Sequence, residues 1–223
     1  MKAATTRFAD RADAGRRLAQ RLAGMGLESP AVYDLPRGGV PVAAEIARAL
    51  RAPLDLVLVR KIGAPDAPEV ALGAIVDGDD PQRTINEDVR DLSGADEGFV
   101  ERAAQIALRE LERRRALYLR GGRPVDPAGH TAIVVDDGIA TGATATAAIG
   151  ALRRKGAARI CVAVPVAPAE VVRTLERTAD DVVCLRIVED FRGVGSYYDD
   201  FHQLTDREVL ERLREARAPL REA

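Results

Sequence analysis

Cysteine is scarce in this chain. Only Cys161 and Cys184 occur among 223 residues, each inside an aliphatic run, and neither belongs to a CxxC or cysteine-histidine cluster. That pattern excludes a disulfide framework and a zinc site and predicts two reduced thiols in a core. Long apolar runs are also missing: none approaches the roughly 20 residues that a membrane span needs. The opening MKAATTRFADRADAGRRLAQRL lacks the apolar stretch of a signal peptide. The expectation is a cytoplasmic protein with no membrane partner. Nor is there an excess of either charge: 33 basic and 35 acidic residues leave a formal charge of -2. With no global field to hold a polyanion, no nucleic-acid partner is expected, and any anion site has to be built locally.

What is present suits one ordinary globular domain. The composition is 47% hydrophobic and 30% charged, and 19 glycines with 12 prolines punctuate it without low complexity. Residues 10–24 read as an amphipathic helix, followed by a short strand from Ala31 to Asp34, the turn LPRGG, and a helix with a small apolar stripe at Ala43, Ala44, Ala47 and Leu50. LDLVLVRK, residues 54–61, reads as one aliphatic strand covered on both faces. Residues 63–94, rich in glycine, proline and acids, break the rhythm and read as a mobile excursion around one weak strand, Val70 to Val76. A helix then runs from Asp96 to about Arg120, with the Arg113 to Arg115 triplet on its solvated side.

Strand and helix alternate through the rest. TAIVVDDGIATGAT leads into a helix with Ala145, Ala148, Ile149 and Leu152 on one face; RICVAVPV and DVVCLRIV follow as strands, and Thr205 with Glu208 forms a capping box for a last helix. The natural solution is an α/β fold, a doubly wound parallel sheet, with a small hood subdomain. Its core would span about 28–186 and its hood 1–27 and 187–223, with 63–94 as a further contributor.

Two strand-to-loop turns carry the chemistry, and in open parallel sheets ligands bind beyond the carboxyl ends of the strands. After the third strand, Gly138, Ala140, Thr141, Gly142, Ala143 and Thr144 let backbone amides approach an anion, with a helix starting behind them. No GKS or GKT follows, so this is not a nucleoside-triphosphate loop. Asp136 and Asp137 stand immediately before it and would repel a phosphate unless they face sugar hydroxyls or a hydrated magnesium ion. A phosphate with a diol beside it fits both halves of the loop.

This order of aliphatic strand, two acids, glycine loop and threonine, Ile133 to Thr144, resembles the phosphoribosyl-pyrophosphate signature of type I phosphoribosyltransferases. The resemblance extends over residues 31–164. In it, Arg37 with Gly38 and Gly39 looks like the pyrophosphate loop, and Arg60 with Lys61 ends the next strand as in adenine-type members. It implies a site in which Asp136 and Asp137 meet the ribose hydroxyls and magnesium and Ala140 to Thr144 hold the 5-phosphate. Arg37, as a bidentate fork, and Lys61, as a point charge, would neutralise the leaving pyrophosphate. It also implies 5-phosphoribosyl-1-pyrophosphate as donor, pyrophosphate as product, a small acceptor such as a nucleobase, closure of the Gly63 to Leu92 segment as a lid, and a homodimer.

The match departs from the family in one place that bears on the acceptor. Hypoxanthine-guanine-type members carry a further acid where Ala140 stands, which weakens that assignment; adenine-type members use a glutamate from the mobile segment, where this chain has Glu69, read here as an exposed residue of an acidic loop. The aromatic stretch FRGVGSYYDDFHQLTD is either a flap over a planar base or the closure of the hood's own core. His202 within it reads as structural or solvated, and His130 only precedes a strand. The alternative to a transferase is a non-catalytic sensor of the same ligand, as certain regulators of this fold are. A sugar-phosphate hydrolase would need a base that no histidine or cysteine pair supplies.

Overall fold

The computed structural model describes residues 7–78, 81–119 and 124–217. The outer ends of the expected hood, residues 79–80 of the excursion and residue 120 at the expected helix end lie outside them. In chain order the elements are α1 (Arg11–Ala23), β1 (Pro30–Asp34), α2 (Val40–Leu50), β2 (Leu54–Leu56), β3 (Val59–Ala64), β4 (Ala67–Val76), β5 (Gln82–Ile85) and α3 (Glu87–Ser93). Then come α4 (Glu97–Tyr118), β6 (Thr131–Val135), α5 (Ala143–Arg154), β7 (Arg159–Pro168), α6 (Ala169–Leu175), β8 (Asp181–Val188) and α7 (Asp206–Arg217).

Five strands form a parallel sheet in the order β2-β1-β6-β7-β8. The chain steps from β1 to β2 through α2 in one direction and from β6 to β7 and β8 through α5 and α6 in the other. The order therefore reverses between β1 and β6, where Asp34 stands in register with Val135. A crevice opens beyond the carboxyl ends of strands at such a point.

Both faces of this sheet are covered, which is why its strands read as unbroken apolar runs. Val32, Ile133 and Cys161 pack with Leu18 and Leu22 of α1, Ile46 of α2, Val100 and Leu111 of α4, and Leu213 of α7. Their neighbours Tyr33, Val134, Ile160 and Val162 turn to the other face, against Ala148, Ile149 and Leu152 of α5 and Leu175 of α6. All four residues of the α5 stripe are buried. On α2 the buried set is Val40, Val42, Ala43, Ile46 and Ala47, which shares Ala43 and Ala47 with the expected stripe, while Ala44 and Leu50 are half-buried. Arg113 and Arg114 both pair with Glu110 on the outside of α4.

Two expectations require correction. LDLVLVRK is not one strand: Leu54–Leu56 joins the parallel sheet, whereas Val59–Ala64 belongs to a separate sheet of order β3-β4-β5. Apolar periodicity cannot report this split, because both pieces bury apolar side chains and differ only in the strand they pair with. Likewise, residues 63–94 hold more than one weak strand. The β3 and β4 strands form an antiparallel hairpin whose turn, Pro65–Asp66, places Asp66 at φ 59°, a left-handed conformation that aspartate tolerates. Of the three prolines that suggested a loop, Pro65 sits at this turn, Pro68 near the start of β4 and Pro81 just before β5, where missing N–H donors are tolerated.

Five of the eight aromatic side chains close a third small core. Phe8, Tyr197 and Tyr198 are buried together, with Phe191 and Phe201 packed against them. Backbone bonds tie the two chain ends there: Phe8 N donates to Tyr197 O at 2.9 Å and Asp199 N to Phe8 O at 2.8 Å.

Candidate functional site

The two turns singled out in the sequence meet at the β1/β6 reversal. After β1, residues 36–39 fold back over the end of β6, with a cis peptide between Pro36 and Arg37. A β-carbon added at Gly38 would collide with the Asp137 carboxylate, its Cγ only 2.6 Å away; one at Gly39 would meet Asp34 Oδ1 and lie 2.9 Å from the Asp136 Cα. Close approach, rather than unusual φ, is what these glycines supply. Gly39 itself sits at φ -69°.

After β6 the loop turns at Gly138 and exposes Ala140 and Thr141 at its tip. Gly142, at φ 79°, then serves as the N-cap of α5 without any side-chain cap, and the first turn of α5 carries no acid. The leading N–H groups of α5 are thereby left to an anion, with the helix dipole in support. Ala143 and Thr144 lie half-exposed in that first turn. From the second sheet, Lys61 reaches over so that Nζ stands 3.4 Å from Thr141 Oγ1. Arg60 beside it is exposed, and Arg37 lies 3.8 Å from Asp206 at the start of α7.

Three carboxylates gather behind these donors, one more than the sequence reading named. Asp34 is fully buried at the end of β1, and neither carboxylate oxygen has a hydrogen-bond partner among the described residues. Burial, and then the neighbouring Asp136 and Asp137, push its carboxyl well above the usual range. Asp136 is half-buried, accepts the Asp137 backbone N–H at 2.8 Å, and is raised by desolvation and by Asp137. For Asp137 burial is again the leading cause of an upward shift, opposed by Arg11.

Arg11 is the second residue the sequence reading missed. Its Nε donates to Asp137 Oδ2 at 2.8 Å and its Nη1 to the carbonyl of His202 at 2.9 Å, while its guanidinium lies 3.9 Å from the centroid of the Phe201 ring. Signals for both residues do exist in the sequence. Arg11 occupies the same helical stripe as Ala14, Leu18 and Leu22, and Asp34 closes an otherwise apolar strand, two places where a charge is expensive without a partner.

Other residues named from the sequence fall outside the crevice or into packing. Glu69 is exposed on β4. His202 is held between Asp200, 3.1 Å from Nδ1, and Glu208, 3.0 Å from Nε2, which raise its pKa. Tyr198 donates its hydroxyl to the Asp137 backbone oxygen at 2.6 Å, so the aromatic stretch builds a core that props the acid pair. Cys161 is buried and Cys184 half-buried, and both are free thiols. No described helix is long and apolar enough to cross a membrane.

The described residues hold no group of three or more histidine, cysteine or acidic side chains placed to bind a metal unaided. Asp136, half-buried at the end of β6 beside Asp137, nonetheless fits a magnesium ion that brings its own waters and ligand phosphates, the usual habit of that ion.

Residues 6–202 match the family model described as a phosphoribosyl transferase domain. A Mycobacterium tuberculosis protein of strain H37Rv, whose name places it among the phosphoribosyl transferases, is 45% identical over 216 residues, covering 97% of this chain and 48% of that protein. The chain thus spans about half the length of the curated relatives it matches. Among solved structures, the TT1426 protein from Thermus thermophilus superposes with a TM-score of 0.83 at 43% identity, covering 96% of this chain and 100% of the other. The AQ2163 protein from Aquifex aeolicus, at 10% identity and a TM-score of 0.50 over 79% of this chain and 74% of the other, shares the fold alone.

Proposed function

The chain belongs to the phosphoribosyl transferase domain family, and on that premise we propose that its crevice binds 5-phosphoribosyl-1-pyrophosphate with magnesium and transfers the phosphoribosyl group to a small acceptor such as a nucleobase. The observation that carries this reading is the pairing of an acid cluster with an uncapped helix N-terminus at one strand reversal. A ligand with a phosphate at one end and hydroxyls next to it satisfies both, and few others do.

In this reading the amides of Thr141 to Thr144 and the two threonine hydroxyls hold the 5-phosphate. Asp136 and Asp137 form the acidic wall facing the ribose and the metal, which when bound would neutralise the pyrophosphate, and Asp34 lies buried behind them. Arg37 and Lys61 approach the leaving group from either side, and Arg60 lies beside them. The bond from the anomeric carbon to the pyrophosphate oxygen breaks as the acceptor nitrogen bonds to that carbon, and pyrophosphate departs with the electron pair. Positioning and charge neutralisation are the protein's main tasks in such a step. The β3-β4-β5 sheet, which carries Lys61 over Thr141, would exclude water from it.

The test is magnesium-dependent pyrophosphate release from 5-phosphoribosyl-1-pyrophosphate against a panel of purines, pyrimidines and nicotinate-like acids, with Asp136→Asn as control. Release that requires one acceptor and disappears in the control is the expected result. Tight binding without release under any acceptor would instead favour a sensor, and no binding would overturn the reading.

A further inference from the structure

Arg37 is the cation of the PRGG turn, and a small network from two distant helices stands behind it. The turn folds over the end of β6 with Gly38 against the Asp137 carboxylate, which leaves Arg37 at the rim of the crevice. Its guanidinium lies 3.8 Å from Asp206 Oδ1, and both side chains are half-exposed. That spacing is too long for a hydrogen bond, and the guanidinium is not hydrogen-bonded to the described residues. Asp206, by contrast, is fixed. It is the first residue of α7, where the helix dipole favours a carboxylate, and it accepts the hydroxyl of Tyr118, the last residue of α4. Tyr118 is buried. Burial, then the bond to Asp206 and its charge, push the phenol up to about 12, so it keeps its proton and donates. Arg113 and Arg114 of the same helix are both bound to Glu110, which leaves the Asp206 carboxylate facing Arg37.

An arginine on a turn gives up rotamer freedom when it closes on an anion, and a guanidinium aimed beforehand gives up less. A carboxylate bonded to both ends of the fork would compete with phosphate oxygens for the same N–H groups. One held at 3.8 Å attracts the guanidinium without occupying its donors. We infer that Asp206, anchored by Tyr118, is a positioning residue that aims Arg37 at the leaving pyrophosphate. This inference rests on the phosphoribosyl-pyrophosphate reading of the crevice. It extends the site to residues 118 and 206, which neither strand-to-loop turn contains.

Positioning through Arg37 has a signature that other roles lack: the effect of Asp206 and Tyr118 must vanish once Arg37 is gone. Affinity for 5-phosphoribosyl-1-pyrophosphate with magnesium is measured by calorimetry for the wild type, Arg37→Met, Asp206→Asn, Tyr118→Phe and the double variants Arg37→Met/Asp206→Asn and Arg37→Met/Tyr118→Phe, each with a thermal melt. We expect Arg37→Met to weaken binding about 10- to 100-fold, the range of a lost charged hydrogen bond. With Arg37 in place, Asp206→Asn weakens it about 5- to 10-fold and Tyr118→Phe about threefold, as for lost preorganisation. In the Arg37→Met background neither substitution changes affinity by more than about twofold. Half-exposed ion pairs contribute little to stability, so Asp206→Asn should melt close to the wild type.

The inference is overturned if Asp206→Asn or Tyr118→Phe binds as tightly as the wild type or more tightly, since Asp206 would then be a bystander or a competitor for Arg37. It is equally overturned if these substitutions weaken binding to the same extent with and without Arg37, the mark of a structural role. Should Tyr118→Phe not fold, the Asp206→Asn cycle decides; should Asp206→Asn not fold, the Tyr118→Phe cycle does. A wild type that does not bind the ligand overturns the reading of the crevice and this inference with it, whereas binding without coupling to Arg37 overturns the inference alone.

Discussion

Gly38 and Asp137 approach so closely that a β-carbon on the glycine would stand 2.6 Å from the carboxylate carbon. An exposed aspartate could swing aside, but this one is pinned by Arg11. Gly38→Ala should therefore either displace the PRGG turn or break the ion pair. The expected stability loss is about 1–3 kcal/mol, typical of overpacking, read from denaturant melts. Ligand affinity should fall about tenfold or more, since the turn and the acid wall belong to one site. An alanine variant with unchanged affinity would show that the turn has room to move.

Lys61 brings the second sheet to the phosphate loop through Thr141 at 3.4 Å. Lys61→Met is expected to weaken binding of inorganic pyrophosphate about 10- to 100-fold, the range of a lost charged hydrogen bond. Because the lysine is exposed, fold stability should change by less than about 0.5 kcal/mol. Calorimetry and a melt on the same preparation separate the two effects, and a variant that binds pyrophosphate normally would remove Lys61 from the site.

Asp34 predicts a pH dependence with a definite sign. Its folded carboxyl holds a proton more tightly than the ordinary value near about 4, because it is buried beside Asp136 and Asp137. The stability tied to the protonated form is complete below that ordinary value and is lost as pH rises through the folded one. Asp34→Asn removes this loss. Without ligand, the variant should melt with the wild type near pH 4 and about 2–4 °C above it at pH 8 for each kcal/mol recovered. A variant less stable than the wild type at pH 8 would refute the assignment.

Thr205 and Glu208 form a reciprocal cap at the start of α7: Thr205 N donates to Glu208 Oε2 at 2.8 Å and Glu208 N to Thr205 Oγ1 at 3.3 Å. The hydroxyl, the backbone amide and His202 together hold the Glu208 carboxyl down at about 2. Thr205→Ala should cost about 1 kcal/mol of stability, visible as a lower Tm. Asp206, which meets Arg37 and Tyr118, lies in the same first turn, so an unchanged Tm would mean that α7 is held by its packing instead.

How much was readable in advance depended on range. The phosphate-type loop, the helix of Ala145 to Leu152 and the Thr205 cap are patterns within a dozen residues, governed by backbone geometry and apolar spacing that the chain carries wherever it goes. The alternation of strands and helices likewise implied a parallel sheet, because right-handed crossovers leave few other solutions. From those local rules the sequence by itself determined the class of fold and the location of the acid pair and the glycine turn.

Pairing across long stretches of chain was decided only in three dimensions. LDLVLVRK divides between two sheets because Leu54–Leu56 finds β1 while Val59–Ala64 finds β4, and nothing in the alternation of its side chains distinguishes those partners. Arg11 meets Asp137 across 126 positions, and Asp34 becomes a buried, unpartnered acid only when residues 36–39 close over it. Burial and charge pairing depend on what the rest of the chain places within a few ångströms, so the tertiary structure alone set which of the three acids is ion-paired and which is buried without a partner among the described residues.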